Sequence, residues 1–497
     1  MTAYQAALAG LVGSVVVFYL IAQRFGGRPN NVMEFFHDPN VPRNASSLIA
    51  ANLGLGQGIA MVLMGTQFFG VLFLIVPFMI FAGQKAFSRF VRKADASHLF
   101  VRGMLASGLG DALDEAAGKR VHFQQWTTGF VILAYIMGLV YEVLVSARWL
   151  NSALFPTIGI AQQAFISCLL LAFVMTYTVS GGYKTVQRTD IAQVICGILL
   201  VVGIIYLLAA YHLQPGMQNG QPVGKSPIFP TDAATIIGFA TLALAPFNSQ
   251  FYGILNQAAA SHQSSGDQRR RLFNWSSWVI LTIYLFLAIA ALYFNNQHGG
   301  AQQALEQLLA ESAKGTTTAN ILGITLATVG MTAVIMSTAD TLMIVVTQAL
   351  HEGFSRGFSG GNSQTTGTTA DLRKVRRMML FAFPCVFLVL VPMWFFNTDA
   401  FNLLFAIAAP CEVIAPLIAV LLLLAHDNNI KAILSKVSGR WAWLHVFYLL
   451  SVLVFVGSLV ANSIQWPWAR AIGFFGFLLS SILACLVFRN SRHLAKR

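Results

Sequence analysis

Between Gly330 and Met343 the chain reads Gly-Met-Thr-Ala-Val-Ile-Met-Ser-Thr-Ala-Asp-Thr-Leu-Met, which sets hydroxyls and a carboxylate into a run otherwise apolar enough to cross a bilayer. An Asp at the centre of a membrane helix costs roughly 2.5–3.5 kcal/mol on insertion scales, so its presence there points to a function. Ser337, Asp340 and Thr341 stand at i, i+3 and i+4, on one helical face, with Thr338 at its edge. Hydroxyl and carboxylate oxygens are hard donors, and their convergence on one face outlines a site for a small cation.

Four other stretches carry polar groups within apolar runs. Ala50-Ala-Asn-Leu-Gly-Leu-Gly-Gln-Gly58 has three glycines at alternate positions, which lowers the cost of leaving helical geometry and frees carbonyls to coordinate. Close helix packing through small residues is the competing explanation. Ala245-Pro-Phe-Asn-Ser-Gln-Phe-Tyr252 interrupts a second apolar run with a proline and several polar groups. The third and fourth each hold a lone carboxylate, Glu142 in Leu139-Val-Tyr-Glu-Val and Glu412 between Pro410 and Pro416. Each suits a cationic solute or a proton, or else a carboxylate paired internally.

The elements that must position these residues are membrane helices. Of 497 residues 56% are hydrophobic and only 10% charged, with a mean hydropathy of +0.67, far from a soluble domain. Apolar runs predict an all-α polytopic membrane protein of about thirteen spans. These are residues 4–22, 46–62, 64–83, 125–147, 157–178, 188–210, 232–253, 274–294, 319–349, 378–396, 401–425, 443–462 and 467–488. The first run lacks a preceding basic segment and has Arg24 and Arg28 after it, the reverse of a secretory signal, so it reads as a retained span.

The formal net charge of +13 reports topology rather than a polyanionic partner. With the N-terminus outside and the C-terminus cytoplasmic, only Arg148, Lys225, Lys314 and Arg470 of the 31 Lys and Arg lie on the outer side. That orientation suits a plasma membrane, in a bacterium the inner membrane, and no nucleic acid is expected as a partner.

Cys168, Cys196, Cys385, Cys411 and Cys485 lie in or beside spans with no paired spacing, and the ten histidines are scattered. Neither a disulfide framework nor a transition-metal site is expected. The chain carries no Walker motif and no nucleophile elbow, which speaks against ATP-driven pumping and against an enzyme, and no cofactor is expected. The 84–124 loop contains an amphipathic pattern over Leu99–Leu113, and 358–369 is rich in Gly, Ser and Thr. Loops 84–124 and 351–377 are the places to expect a cytoplasmic partner.

At Ser180-Gly-Gly-Tyr-Lys-Thr-Val-Gln-Arg-Thr-Asp190-Ile-Ala-Gln193 the chain resembles the solute:sodium symporter family, which includes sodium/proline and sodium/sugar symporters and carries Gly-Gly-x-x-x-Val-x-x-Thr-Asp-x-x-Gln at the start of its sixth span. The resemblance extends to Ser47-Leu-Ile-Ala-Ala-Asn52, to Ser337-Thr338, and to the order of spans. It implies a LeuT-type fold of five-plus-five inverted repeats, with broken spans 2 and 7. By segment order, 1–43 would be a peripheral helix and link, 44–210 the first repeat, 232–425 the second, and 426–497 peripheral helices and tail. Two interrupted spans, one in each half, fit that architecture independently.

The resemblance further implies a sodium site formed by the carbonyls of Ala50, Leu53 and Val334 and the hydroxyls of Ser337 and Thr338. A second cation or proton site would use Asp190 with Ser337, Asp340 and Thr341. Many relatives have Ser or another small polar residue where Asp340 stands, and some carry Asp. A solute would lie between the broken spans, near Gln57, Asn248, Gln250, Tyr252 and Glu412. The family's Gln-Arg-x-x-Ala-Ala-Lys signature is here Asn256-Gln-Ala-Ala-Ala-Ser-His262. The expected activity is sodium-coupled uptake of a small polar organic solute (amino acid, carboxylate, sugar or vitamin) across the lipid bilayer. Proton coupling in the same fold, a transporter-like sensor or partner subunit, and a passive channel are the alternatives.

Overall fold

The chain begins with α1 (Ala3–Phe25), whose start is set by a capping box: Gln5 N donates to Thr2 Oγ1 and Thr2 N to Gln5 Oε1. The computed structural model describes residues 2–36, 55–95, 123–155, 159–210, 217–218, 221–222, 229–230, 232–244, 266–298, 301–354, 369–395, 405–406, 409, 412–413, 416 and 442–495. After α1 come the short α2 (Val32–Phe36), a π-helical turn (Leu55–Ala60), α3 (Met61–Phe69), a 3₁₀ turn (Gly70–Leu74) and α4 (Ile75–Asp95). Then follow α5 (Phe123–Leu154), α6 (Ile160–Ala210), α7 (Ala233–Leu244), α8 (Gly266–His298), α9 (Ala301–Lys314) and α10 (Thr318–Phe354). α11 (Thr369–Phe395), α12 (Ala442–Ser463), a 3₁₀ turn (Ala469–Ala471) and α13 (Ile472–Ala495) complete the described helices. β1 (Met217–Gln218) and β2 (Gln221–Pro222) pair antiparallel, with Met217 opposite Pro222.

Among the described residues, eight helical stretches are long and apolar enough to cross a membrane, and α7 is a shorter apolar one. Several expected spans are joined or shifted. The spans expected at 46–62 and 64–83 break at Gly70 (φ 55°, ψ −136°), not near 63, and Phe73 folds back onto Gly65. The spans expected at 157–178 and 188–210 form the single path α6, interrupted where Gly182 takes φ 61° and ψ −155°. Only glycine tolerates that geometry, and a Cβ there would also come within 2.5 Å of the Phe35 carbonyl oxygen. α9 lies in a segment expected to be a loop.

α10 is the hub. Every residue from Gly330 to Ala349 is buried, because α5, α6, α11 and α1 surround it and the π-helical turn also packs against it. A helix buried on all sides has no lipid-facing stripe. Its polar residues are therefore turned toward other helices. Among the described residues the pairing with α6 is the most extensive, and small residues permit it: a Cβ on Gly330 would lie 2.6 Å from the Leu200 Cα. Close approach through glycine is a recurrent solution where lipid offers no hydrophobic drive for association.

Candidate cation site between α6 and α10

The close approach of α6 and α10 carries the Thr189-Asp190 motif to the polar face of α10. Ser337 Oγ donates to Asp190 Oδ1 at 2.9 Å. One turn further along, Tyr177 OH donates to Asp340 Oδ2 at 2.7 Å, and Thr341 Oγ1 lies 3.4 Å from Asp340 Oδ1. Asp190, Ser337, Thr338, Asp340, Thr341 and Tyr177 are all buried, with Asp340 and Tyr177 fully so. The four residues expected for the second site thus stand together.

Hydroxyls on α10 differ in their partners. Thr332, Thr338 and Thr347 each donate to the carbonyl four residues back, at 2.8, 3.3 and 2.7 Å, the usual way a helical Thr satisfies itself in an apolar setting. Ser337 instead crosses to another helix. Thr338 and the Val334 carbonyl, two expected sodium ligands, are bonded to each other in this arrangement. Both oxygens retain lone pairs for a cation.

The two carboxylates are near enough to repel one another. Such a pair in a buried place needs a proton or a cation to offset the charge. Gln193, one turn past Asp190, is buried, with its amide within reach of the Tyr177 hydroxyl. Among the described residues, no group of three or more His, Cys, Asp and Glu side chains is arranged to hold a metal ion. The side-chain groups that meet here are mainly oxygen donors, a set whose chemistry suits a hard cation.

The remaining expected residues are dispersed or undescribed. Ala50, Leu53, Asn248, Gln250 and Tyr252 lie outside the described residues, as do Ser47, Asn52, the 256–262 signature, the Leu99–Leu113 pattern and most of the 358–369 stretch. Gln57 falls in the π-helical turn, a conformation frequent at functional sites. α7 is described as far as Leu244, and Ala245–Tyr252 lie outside the described residues. Glu412 is buried in a separate place: a Cβ on Gly473 of α13 would lie 2.7 Å from its Oε2 and 2.8 Å from Thr241 Cγ2 of α7. Glu142 is buried on α5 within electrostatic reach of Tyr284 on α8.

Tyr177 was not legible as a site residue. Its signal was that a buried Tyr needs a partner for its hydroxyl, and it precedes Ser180 by three residues at the end of an apolar run.

The arrangement defines a multi-pass membrane protein of the LeuT-type, inverted-repeat fold. The chain is similar to a sodium-coupled sialic acid symporter in its substrate-bound, outward-open state over 97% of both chains, with a TM-score of 0.59 and 13% identity. It is also similar to a mutant manganese transporter of Eremococcus coleocola over 94% of its own length and 100% of that chain, with a TM-score of 0.50 and 14% identity. By sequence the chain matches no protein-family profile and no curated relative.

Proposed function

We propose that the chain is a secondary active symporter that couples inward sodium flow to uptake of a small polar organic solute by alternating access. One observation carries this reading: Ser337 of the buried hub helix reaches across to Asp190 of the opposing helix, beside a second carboxylate. A fold shared with a sodium-coupled symporter supports it. In this reading the carbonyls of Ala50, Leu53 and Val334 and the hydroxyls of Ser337 and Thr338 hold one sodium ion. Asp190, Asp340 and Thr341 complete a second cation or proton site. The solute lies near the bilayer midplane between the π-helical turn and the end of α7, within reach of Gln57, Asn248, Gln250, Tyr252 and Glu412.

Bound sodium then ties the second span to α10 and favours the outward-open state, and by linkage the solute must tighten sodium binding by the same factor. In this reading the N-terminus faces outward in a plasma membrane, the orientation that the distribution of Lys and Arg favours. Uptake into proteoliposomes under an inward sodium gradient tests the reading. Accumulation should follow the sodium gradient and persist with an uncoupler present.

A second reading rests on the 2.7 Å bond between Tyr177 and Asp340. A carboxyl held by a hydroxyl, beside another carboxyl, is equally a proton carrier. Uptake indifferent to sodium and abolished by an uncoupler would select proton coupling. Binding without any accumulation would select a sensor.

A further inference from the structure

We propose that the basic end of the bundle holds a binding site for the phosphate headgroup of an anionic phospholipid, independent of the transport reading. A cavity of about 500 Å³ opens there between α1, the kink of α6 and the first turns of α11, lined by Tyr19, Gln23, Gly27, Arg28, Ser180 and Arg376. Two of these six are guanidiniums, and none is a carboxylate.

Arg376 is fixed in the wall. Its Nη2 donates to the Ser180 carbonyl at 3.2 Å, at the end of the first limb of α6, while its Nε is buried with no acceptor. Arg28 faces the same space, and among the described residues neither arginine is in an ion pair. Glu34 on the adjoining α2 is engaged by Asn30 N and Asn31 Nδ2. Lys184 adds positive charge at the rim, its Nζ 3.5 Å from where a Cβ on Gly27 would stand. Two planar donors with no counter-anion match the oxygens of a phosphate.

The route into the cavity identifies the source of that phosphate. On α1 the exposed residues Leu8, Val12 and Val16, 46–52% exposed, form a row that continues through Tyr19 to Gln23 at spacings of four, four, three and four. Such spacing keeps all five on one helical face. An apolar, lipid-facing row that ends at an aromatic residue, an amide and two arginines has the order of an acyl chain followed by a headgroup. A zwitterionic headgroup would bring an ammonium with no lining carboxylate to receive it. An anionic headgroup brings only the charge the site lacks.

The test is native mass spectrometry and thermal melting of the full-length protein in mixed micelles of phosphatidylglycerol or phosphatidylcholine, with inorganic phosphate as a separate arm. The expected result is retention of one phosphatidylglycerol in preference to phosphatidylcholine, together with a higher melting temperature. Arg28→Gln and Arg376→Gln should each lower that preference about fivefold. Arg28 makes no structural bond, so its variant remains informative if Arg376→Gln fails to fold. Equal retention of the two lipids, an undiminished preference in Arg28→Gln, or a melting shift reproduced by inorganic phosphate alone would overturn the proposal.

Discussion

Ser337 and Asp190, 147 residues apart in the chain, are joined by a 2.9 Å hydrogen bond in which the serine hydroxyl donates and the carboxylate accepts. The bond links the motif after the Gly182 kink to the hub helix, and both groups are buried. A serine in this setting holds a carboxylate in place and still offers two lone pairs to a cation.

Loss of that hydroxyl should therefore weaken sodium binding. Ser337→Ala removes a ligand of both proposed sites, and Thr338→Ala removes a ligand of one. Each should raise the sodium concentration for half-maximal uptake about tenfold, equivalent to roughly 1.4 kcal/mol, with the larger effect at Ser337. Sodium titration of proteoliposome uptake measures this. An unchanged sodium dependence in both variants would remove the site assignment.

Tyr177 and Asp340 separate the two coupling ions. Tyr177→Phe leaves the Asp340 carboxylate without its 2.7 Å donor, and stranding a buried acceptor costs about 1–3 kcal/mol. If sodium occupies both sites, Asp340→Asn should lower the number of sodium ions moved per solute while solute binding persists. If Asp340 carries a proton, the same variant should abolish acceleration by a pH gradient and leave sodium stoichiometry intact. Counting charge and isotope fluxes in one vesicle preparation reads both outcomes.

How far the sequence foretold this arrangement differs from residue to residue. The shared face of Ser337, Asp340 and Thr341 was legible because polar residues stand out in an apolar run and helical spacing groups them, whereas the approach of Asp190 to that face was implied only by the resemblance its motif carries. The break at Gly70 was not, since hydropathy varies little across 46–83 and the kink is set by a positive φ and by Phe73 packing on Gly65. α9 was missed because it is too short and polar to span a membrane, although Leu305, Leu308, Leu309 and Ala313 make a helical stripe that is buried. The Arg148–Glu306 ion pair at 2.9 Å fastens that stripe's helix to α5.

The kink at Gly182 makes a stability prediction. A side chain at φ 61°, ψ −155° is strained by about 1–3 kcal/mol, and the Phe35 carbonyl lies only 2.5 Å from the new Cβ. Gly182→Ala should lower the melting temperature in detergent and reduce sodium affinity with it, because Asp190 is two turns beyond the kink. Gly129→Ala has open space around its Cβ and should melt as the parent does. Equal melting of both variants would show that the kink imposes no constraint.

Glu412 presents the converse problem, a carboxyl with both oxygens buried and without any partner. It sits in the joint where Thr241 of α7 donates to the Arg470 carbonyl at 3.1 Å and accepts from Phe474 N at 3.1 Å, so it touches the helix that leads to the proposed solute site. An isolated charge is untenable in such surroundings. Replacing the carboxyl with an amide of the same shape should therefore leave the melting temperature unchanged or higher, whereas Glu412→Lys should destabilise by several kcal/mol. If Glu412 recognises a cationic group on the solute, Glu412→Gln should also raise the KM for that solute at least tenfold with kcat retained, the signature of lost ground-state binding. A stable Glu412→Gln variant with unaltered KM would remove Glu412 from the solute site and leave it a neutral packing group between α7 and α13.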